Sequence, residues 1–171
     1  VKPIRPKRTR LRAKVKQAAR LPHLPDEACA ALEERIGYTF KDKSLLDRAM
    51  THASAVQEFS ARFSYERLEF LGDRVLGLVI AELLFQKFEG EPEGGLAPRL
   101  NALVNRDACA EVARKLELQD CLILDAAEER AGGRQKNSIL SDICEAVLGA
   151  VYLDGGMKPA KAMIERYWAP L

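Results

Sequence analysis

Nowhere does this chain present the 18 or more consecutive uncharged apolar residues of a membrane span, and its N-terminus lacks the apolar core of a secretory signal. No helical membrane span is expected, and residence in the cytoplasm is expected. Histidine occurs only twice, and Cys29, Cys109, Cys121 and Cys144 form no CxxC pair. Neither a zinc site nor a disulfide framework is indicated, and Cys144 reads as small core filler. Internal repeats and the alternating pattern of half-buried strands are also missing, so the expected fold is all-α. Residues 1–20 contain no acid but nine basic residues, which leaves 18 basic against 25 acidic residues in the remainder, a balance of −7. A body this acidic does not announce a nucleic-acid binder, although acids that hold metal count as negative charge when the loaded site is far less so.

The 171 residues suffice for one compact domain with a substantial core. Residues 1–24, with Pro3 and Pro6, read as a basic, flexible arm that either seeks phosphates or merely solubilises, and residues 25–171 as the folded domain. The first residue is Val rather than Met, which implies processing or trimming. Asp26 is placed to cap a helix ending at Gly37, and Asp42 to cap a short helix carrying Leu45, Leu46 and Met50. A long helix is expected over residues 64–88, broken by EGEPEGG (residues 89–95). Helical periodicity resumes at Leu96, with Pro98 tolerable only in the first turn, and continues through Val112 and Leu116. CLILD reads as a connector, AAEERAGGR as a mobile loop, and residues 159–168 as a last amphipathic helix.

Two acidic clusters on two helix-like stretches carry the chemistry. Glu66, Glu69 and Asp73 in ERLEFLGDRVLGLVI fall within about 60° of arc, with Leu68, Leu71, Val75, Leu78 and Val79 roughly opposite. Asp142 and Glu145 lie about 60° apart on a stretch that is otherwise apolar almost all round, so that helix must be buried. Buried ionised carboxylates need hydrogen bonds, cationic partners or a metal. Gly77 shares the arc of the first cluster, and Gly149 with Ala146 that of the second, which would let the two acidic faces meet at close backbone approach. Four or five converging carboxylates suit a hard cation, Mg²⁺ or Mn²⁺, and metal-assisted hydrolysis at phosphorus. The bland alternative is a pair of solvated charged faces, which the apolar surroundings of the second pair count against.

The segment YERLEFLGDRVL (residues 65–76) resembles the signature of the ribonuclease III endonuclease domain, bacterial type. IGYTFKDKSLLDRAMTHAS (residues 36–54), AGGRQKNSILSD (residues 131–142) and EAVLGAVYLDGG (residues 145–156) agree with it in order and spacing. The resemblance covers roughly residues 27–168. It implies an all-α, homodimeric, Mg²⁺-dependent endoribonuclease, with Mn²⁺ able to substitute. Such an enzyme cuts both strands of double-stranded RNA to 5′-phosphate and 3′-hydroxyl ends with short 3′ overhangs, in the processing of ribosomal and messenger RNA and other structured RNAs.

On that resemblance Glu69, Asp142 and Glu145 look like metal ligands. Asp73 positions or deprotonates the attacking water, and Glu145 shares its catalytic role. Glu66 and Glu93 match further acidic positions, the first with a structural ion pair to Arg67 as its alternative. Phe70 is similar to the aromatic that packs into the partner subunit, and its place only about 40° from Glu66 is poor for its own helix's core. Packing against another helix of the same chain is the alternative. Arg134, Gln135 and Lys136 would supply RNA contacts, with Arg99 and Arg106 as weaker candidates, or form an ordinary polar turn. His52 reads as a structural hydrogen bonder. Ala53 stands where the family commonly has Arg, which touches only a local contact. The double-stranded-RNA-binding domain that usually follows is not in this sequence, and truncation near Ala169 is the favoured explanation. A non-catalytic dimerisation or RNA-binding module on the same scaffold is the rival reading; loss of one of the four acids would mark it, and none is lost.

Overall fold

The computed structural model describes residues 22–56 and 63–171. The basic residues 1–20 lie outside the described residues. Among the described residues nine α-helices follow one another: α1 (Asp26–Ile36), α2 (Lys43–Ala49), α3 (Glu66–Lys87), α4 (Glu93–Leu103), α5 (Arg106–Lys115), α6 (Leu118–Cys121), α7 (Ala126–Arg130), α8 (Asn137–Gly155) and α9 (Met157–Trp168). Pairing of the extended kind is confined, among the described residues, to an isolated parallel bridge between Thr51 and Ile123. The CLILD connector supplies it. No described helix is long and apolar enough to cross a membrane.

Helix α8 forms the axis of the domain. Ile143, Cys144, Ala146, Val147, Leu148, Ala150 and Val151 are all fully buried, because α3, α5, α9 and α2 surround a helix with almost no polar face. Helix α3 lies along it and contributes Leu68, Leu76, Val79 and Ile80. The apolar arc of α3 is wider than one neighbour can cover. Leu78, expected in the core, is 61% exposed on the side of α3 that also shows Phe70 and Phe85.

The ends of the elements mostly follow their local chemistry. Gly37 takes the left-handed conformation (φ 78°) that closes α1, and the Asp42 side chain accepts the Ser44 N–H at the start of α2. Asp26, expected as a cap, is instead the first helical residue after Pro25 and bonds no orphan N–H there. Its charge suits that first turn without capping it. Helix α4 begins at Glu93 rather than Leu96, which leaves Pro98 sixth of eleven residues instead of in the first turn. The N–H it lacks would have met the carbonyl of Gly94, an exposed residue that water reaches. The expected loop after Asp125 is helix α7 followed by a 3₁₀ turn, Gly133–Gln135. Asp125 caps it by accepting from Ala127 N and Glu128 N.

Two carboxylates fasten the loop between α1 and α2. Buried Glu33 accepts from Phe40 N and Lys43 Nζ. Asp154, at the end of α8, accepts from Tyr38 Oη at 2.7 Å, Lys41 N at 2.8 Å and Asp42 N at 3.1 Å. Against the opposing effect of burial, these three donors hold the Asp154 carboxyl below the usual carboxylate range. Asp154→Ala is expected to cost about 1 kcal/mol, since it removes a charged acceptor from three donors of which the two amides are open to water. Urea unfolding measures it, and the deficit should shrink as pH falls and Asp154 protonates in the parent protein.

Candidate active site

Close backbone contact between α3 and α8 brings the two acidic clusters together. A Cβ built on Gly72 would stand 1.7 Å from the Glu145 carbonyl oxygen, and one on Gly149 would stand 2.2 Å from the Leu68 carbonyl oxygen. Gly149 is the contact expected from the sequence. Its counterpart is Gly72 rather than Gly77, beside which nothing lies within 4 Å. Gly72 belongs to the buried flank of α3, and the acids sit along the edge of that flank.

The acids of each helix feel those of the other. Burial, followed by the charges of Asp142, Glu66 and Asp73, pushes the Glu69 carboxyl up to about 7. Burial, followed by Asp73, Glu69 and Asp142, pushes Glu145 up to about 8. Asp142 is raised chiefly by burial, with the Tyr65 hydrogen bond, Arg106 and His52 acting against it. Mutual repulsion in a half-buried place produces such shifts.

Their direct partners are few. Tyr65 Oη donates to Asp142 Oδ2 at 3.3 Å, and Cys109 Sγ lies 3.7 Å from Glu145 Oε1. Burial and then the Glu145 charge push the Cys109 thiol up to about 12, so it stays a protonated donor. Asp73 pairs through Oδ2 with its chain neighbour Arg74. Among the described residues no lysine or arginine forms an ion pair with Glu69, Asp142 or Glu145.

The donor chemistry fits a hard divalent cation: four carboxylates from two helices with one arginine ion pair among them, and Glu69, Asp142 and Glu145 raised by burial and by neighbouring acids. No three His, Cys, Asp or Glu side chains among the described residues already form a closed metal cage. The ion's own charge would have to draw these repelling groups inward.

The remaining expected residues fall around this centre or away from it. Exposed Glu66 adds to the field on Glu69 and accepts from Ser64 Oγ at 2.9 Å, with no ion pair to Arg67. Glu93 stands exposed at the first position of α4 and is not among the groups that shift Glu69. Arg134 pairs with Glu129 and donates to Gln119 O, Lys136 pairs with Glu128, and Gln135 is exposed between them. Arg99 pairs with Glu91 and stacks on Phe88 at 4.2 Å. His52 accepts the Ser54 N–H at Nδ1 and so caps a 3₁₀ turn. Phe70 is 68% exposed. Tyr65 and Cys109 carry no signal in helical arc arithmetic, since Tyr65 precedes its helix and Cys109 sits on a third one. The only hint for Tyr65 was its place at the head of the signature segment.

The Ribonuclease-III-like family model matches residues 42–171. Proteins named Ribonuclease 3 from Nitrobacter winogradskyi and Bradyrhizobium diazoefficiens are 51% identical over 81% of the chain and 45% identical over 94% of it. This chain belongs to the ribonuclease III family. The matched stretches span 53% and 64% of those two relatives, so the chain covers between a half and two thirds of such a ribonuclease III. Among solved structures, a nuclease domain of ribonuclease III from Campylobacter jejuni superposes with a TM-score of 0.76 at 44% identity, over 82% of this chain and 98% of that one. That work concerns structural flexibility in a region involved in dimer formation. A Dicer from Pichia stipitis shares the fold at 23% identity, with a TM-score of 0.57, over 88% of this chain and 59% of that one.

Proposed function

We propose that this ribonuclease III domain is a Mg²⁺-dependent endonuclease for double-stranded RNA. The observation that carries the reading is the shared field of Glu69 and Asp73 on α3 with Asp142 and Glu145 on α8, which Arg74 at Asp73 and Arg106 near Asp142 offset only in part. Glu69, Asp142 and Glu145 would hold the ion, and Mn²⁺ should serve in its place. Bound there, the ion neutralises phosphate charge, acidifies water and steadies the leaving oxygen. Asp73 Oδ1, the oxygen not engaged by Arg74, is available to orient the attacking water and accept its proton. Glu145, whose carboxyl feels the Asp73 charge across the two helices, would share that task as an ionised ligand of the ion.

The products in this reading are 5′-phosphate and 3′-hydroxyl ends with short 3′ overhangs, and the cellular substrates are ribosomal RNA precursors and other structured transcripts. The domain should cut a long RNA duplex with Mg²⁺, leave the separated strands intact, and be silent in a chelator. Undiminished cutting in the chelator, or equal cutting of single strands, removes the proposal.

Two sites are needed to cut both strands, which the reading assigns to a two-fold dimer. Support comes from the unfilled face of α3: Phe70 and Leu153 are 68% and 53% exposed beside a concavity of about 470 Å³ lined by Arg48, Arg67 and Leu71. Large exposed apolar groups beside a recess are what a self-complementary interface requires. Phe70→Ser is expected to weaken dimerisation at least tenfold, from about 2 kcal/mol for a central aromatic anchor. Sedimentation at micromolar protein reads the change, and an unaltered dimer would move the interface elsewhere.

A further inference from the structure

The two acids contributed by α8 are held in an unusual way for a charged pair. Each has an uncharged, buried donor rather than a cation: Tyr65 on Asp142 and Cys109 on Glu145. The Tyr65 arrangement is the more fully determined. Its backbone N–H donates to Thr51 O at 3.0 Å, and its own carbonyl accepts from Leu68 N at 2.8 Å and Glu69 N at 2.9 Å. The ring is 4% exposed and packs against His52 at 5.6 Å between centroids, while His52 is fixed in turn by Ser54. One residue therefore anchors the first turn of α3, where Glu69 stands, and reaches across to Asp142 on α8.

A lysine or arginine at the same place would orient Asp142 as well, but it would cancel charge that a cation needs. A phenol orients without cancelling. The bond engages Oδ2, which leaves Oδ1 of Asp142 outside it. We infer that Tyr65 is a positioning residue for divalent-cation binding, pinning the Asp142 carboxylate through a neutral hydrogen bond while tying α3 to α8. This rests on the reading of the four acids as a cation site. Outer partners of this kind typically govern metal affinity or activity by about 10- to 100-fold.

The test is Tyr65→Phe, which deletes one oxygen and keeps the ring. Without RNA, the rise of unfolding temperature on titrating Mg²⁺ should show about tenfold weaker binding than in the unsubstituted protein. With duplex RNA, kcat at fixed Mg²⁺ should fall by a similar factor while KM for RNA holds. In an Asp142→Asn background, adding Tyr65→Phe should change Mg²⁺ binding no further, since the bond it removes has lost its charged acceptor. Equal Mg²⁺ affinity in Tyr65→Phe and the parent, or an equal loss in both backgrounds, overturns the inference. Should the variant fail to fold, the unsubstituted protein supplies a second measurement by NMR: the Tyr65 hydroxyl proton should resist exchange and shift on adding Mg²⁺, and an unmoved resonance overturns it. If the unsubstituted protein binds Mg²⁺ and cuts duplex RNA while Tyr65→Phe is indistinguishable from it, only this inference falls. If the unsubstituted protein neither binds nor cuts, the cation-site reading falls and takes the inference with it.

Discussion

Glu145→Gln is expected to abolish cleavage of duplex RNA and, in the same protein without metal, to raise thermal stability. The first effect follows from the proposed role. An uncharged amide neither completes the ligand set nor accepts a proton, and losing several kcal/mol of charge stabilisation corresponds to at least about 10³-fold in rate. The second follows from the charge left uncompensated. The Glu145 carboxyl lies at about 8 in the folded domain against an ordinary 4.5, so between those values the folded state binds more protons than the unfolded one. Stability from this group is therefore complete below about pH 4.5 and is lost as pH rises through about 8.

Glu69, raised to about 7, acts with the same sign over a narrower window. For a fully buried group such a displacement would be worth up to about 5 kcal/mol, and partial exposure of Glu145 screens it to on the order of 1–3 kcal/mol. Glu145→Gln should thus melt several degrees above the parent at pH 8 in chelator and close to it at pH 5, at about 2–4 °C per kcal/mol. Mg²⁺ should reverse the order at pH 8 by stabilising the parent more. Calorimetry at both pH values checks it, and a parent no less stable than the variant at pH 8 in chelator would mean the acids are already compensated.

Much of this site was readable from residue order, because the features that reveal it are local. Asp142 and Glu145 on an otherwise apolar stretch demanded burial, and α8 is buried almost throughout. Gly149 shared their arc and does lie at the contact. What escaped depended on which neighbour covers which flank. On α3 the glycines stand five residues apart, and arc arithmetic favoured Gly77 for its nearness to the acids, whereas α8 packs on the flank that holds Gly72. Leu78 was misplaced for the same reason. Helix α3 is apolar on more than one side, and only the structure shows which side one chain leaves open. Helix α7 was obscured by the two glycines after it, although Asp125 followed three residues later by Glu128 is a helix-start pattern that outweighs them.

Gly72→Ala should be the most destabilising single-methyl change in the domain, and Gly77→Ala on the same helix should be neutral or slightly stabilising. At Gly72 the added carbon would meet Glu145 O at 1.7 Å, Glu145 C at 2.6 Å and Gly149 N at 2.9 Å. All three are backbone atoms in the middle of a fully packed helix, so no side chain can turn away. Either α3 and α8 separate or the contact breaks, and overpacking of this severity costs about 3 kcal/mol or more out of a total of roughly 5–15. At Gly77 the new methyl enters open space, and replacing glycine by alanine inside a helix is worth up to about 1 kcal/mol.

Urea unfolding of the two variants reads the contrast directly. The consequence reaches the chemistry, because the contact at Gly72 is made with the carbonyl of Glu145 itself. Moving α3 off α8 moves Glu69 and Asp73 away from Asp142 and Glu145. Whatever fraction of Gly72→Ala remains folded should therefore bind Mg²⁺ more weakly than the parent, and unchanged Mg²⁺ affinity in that folded fraction would show that the acids do not depend on the close approach of these two helices.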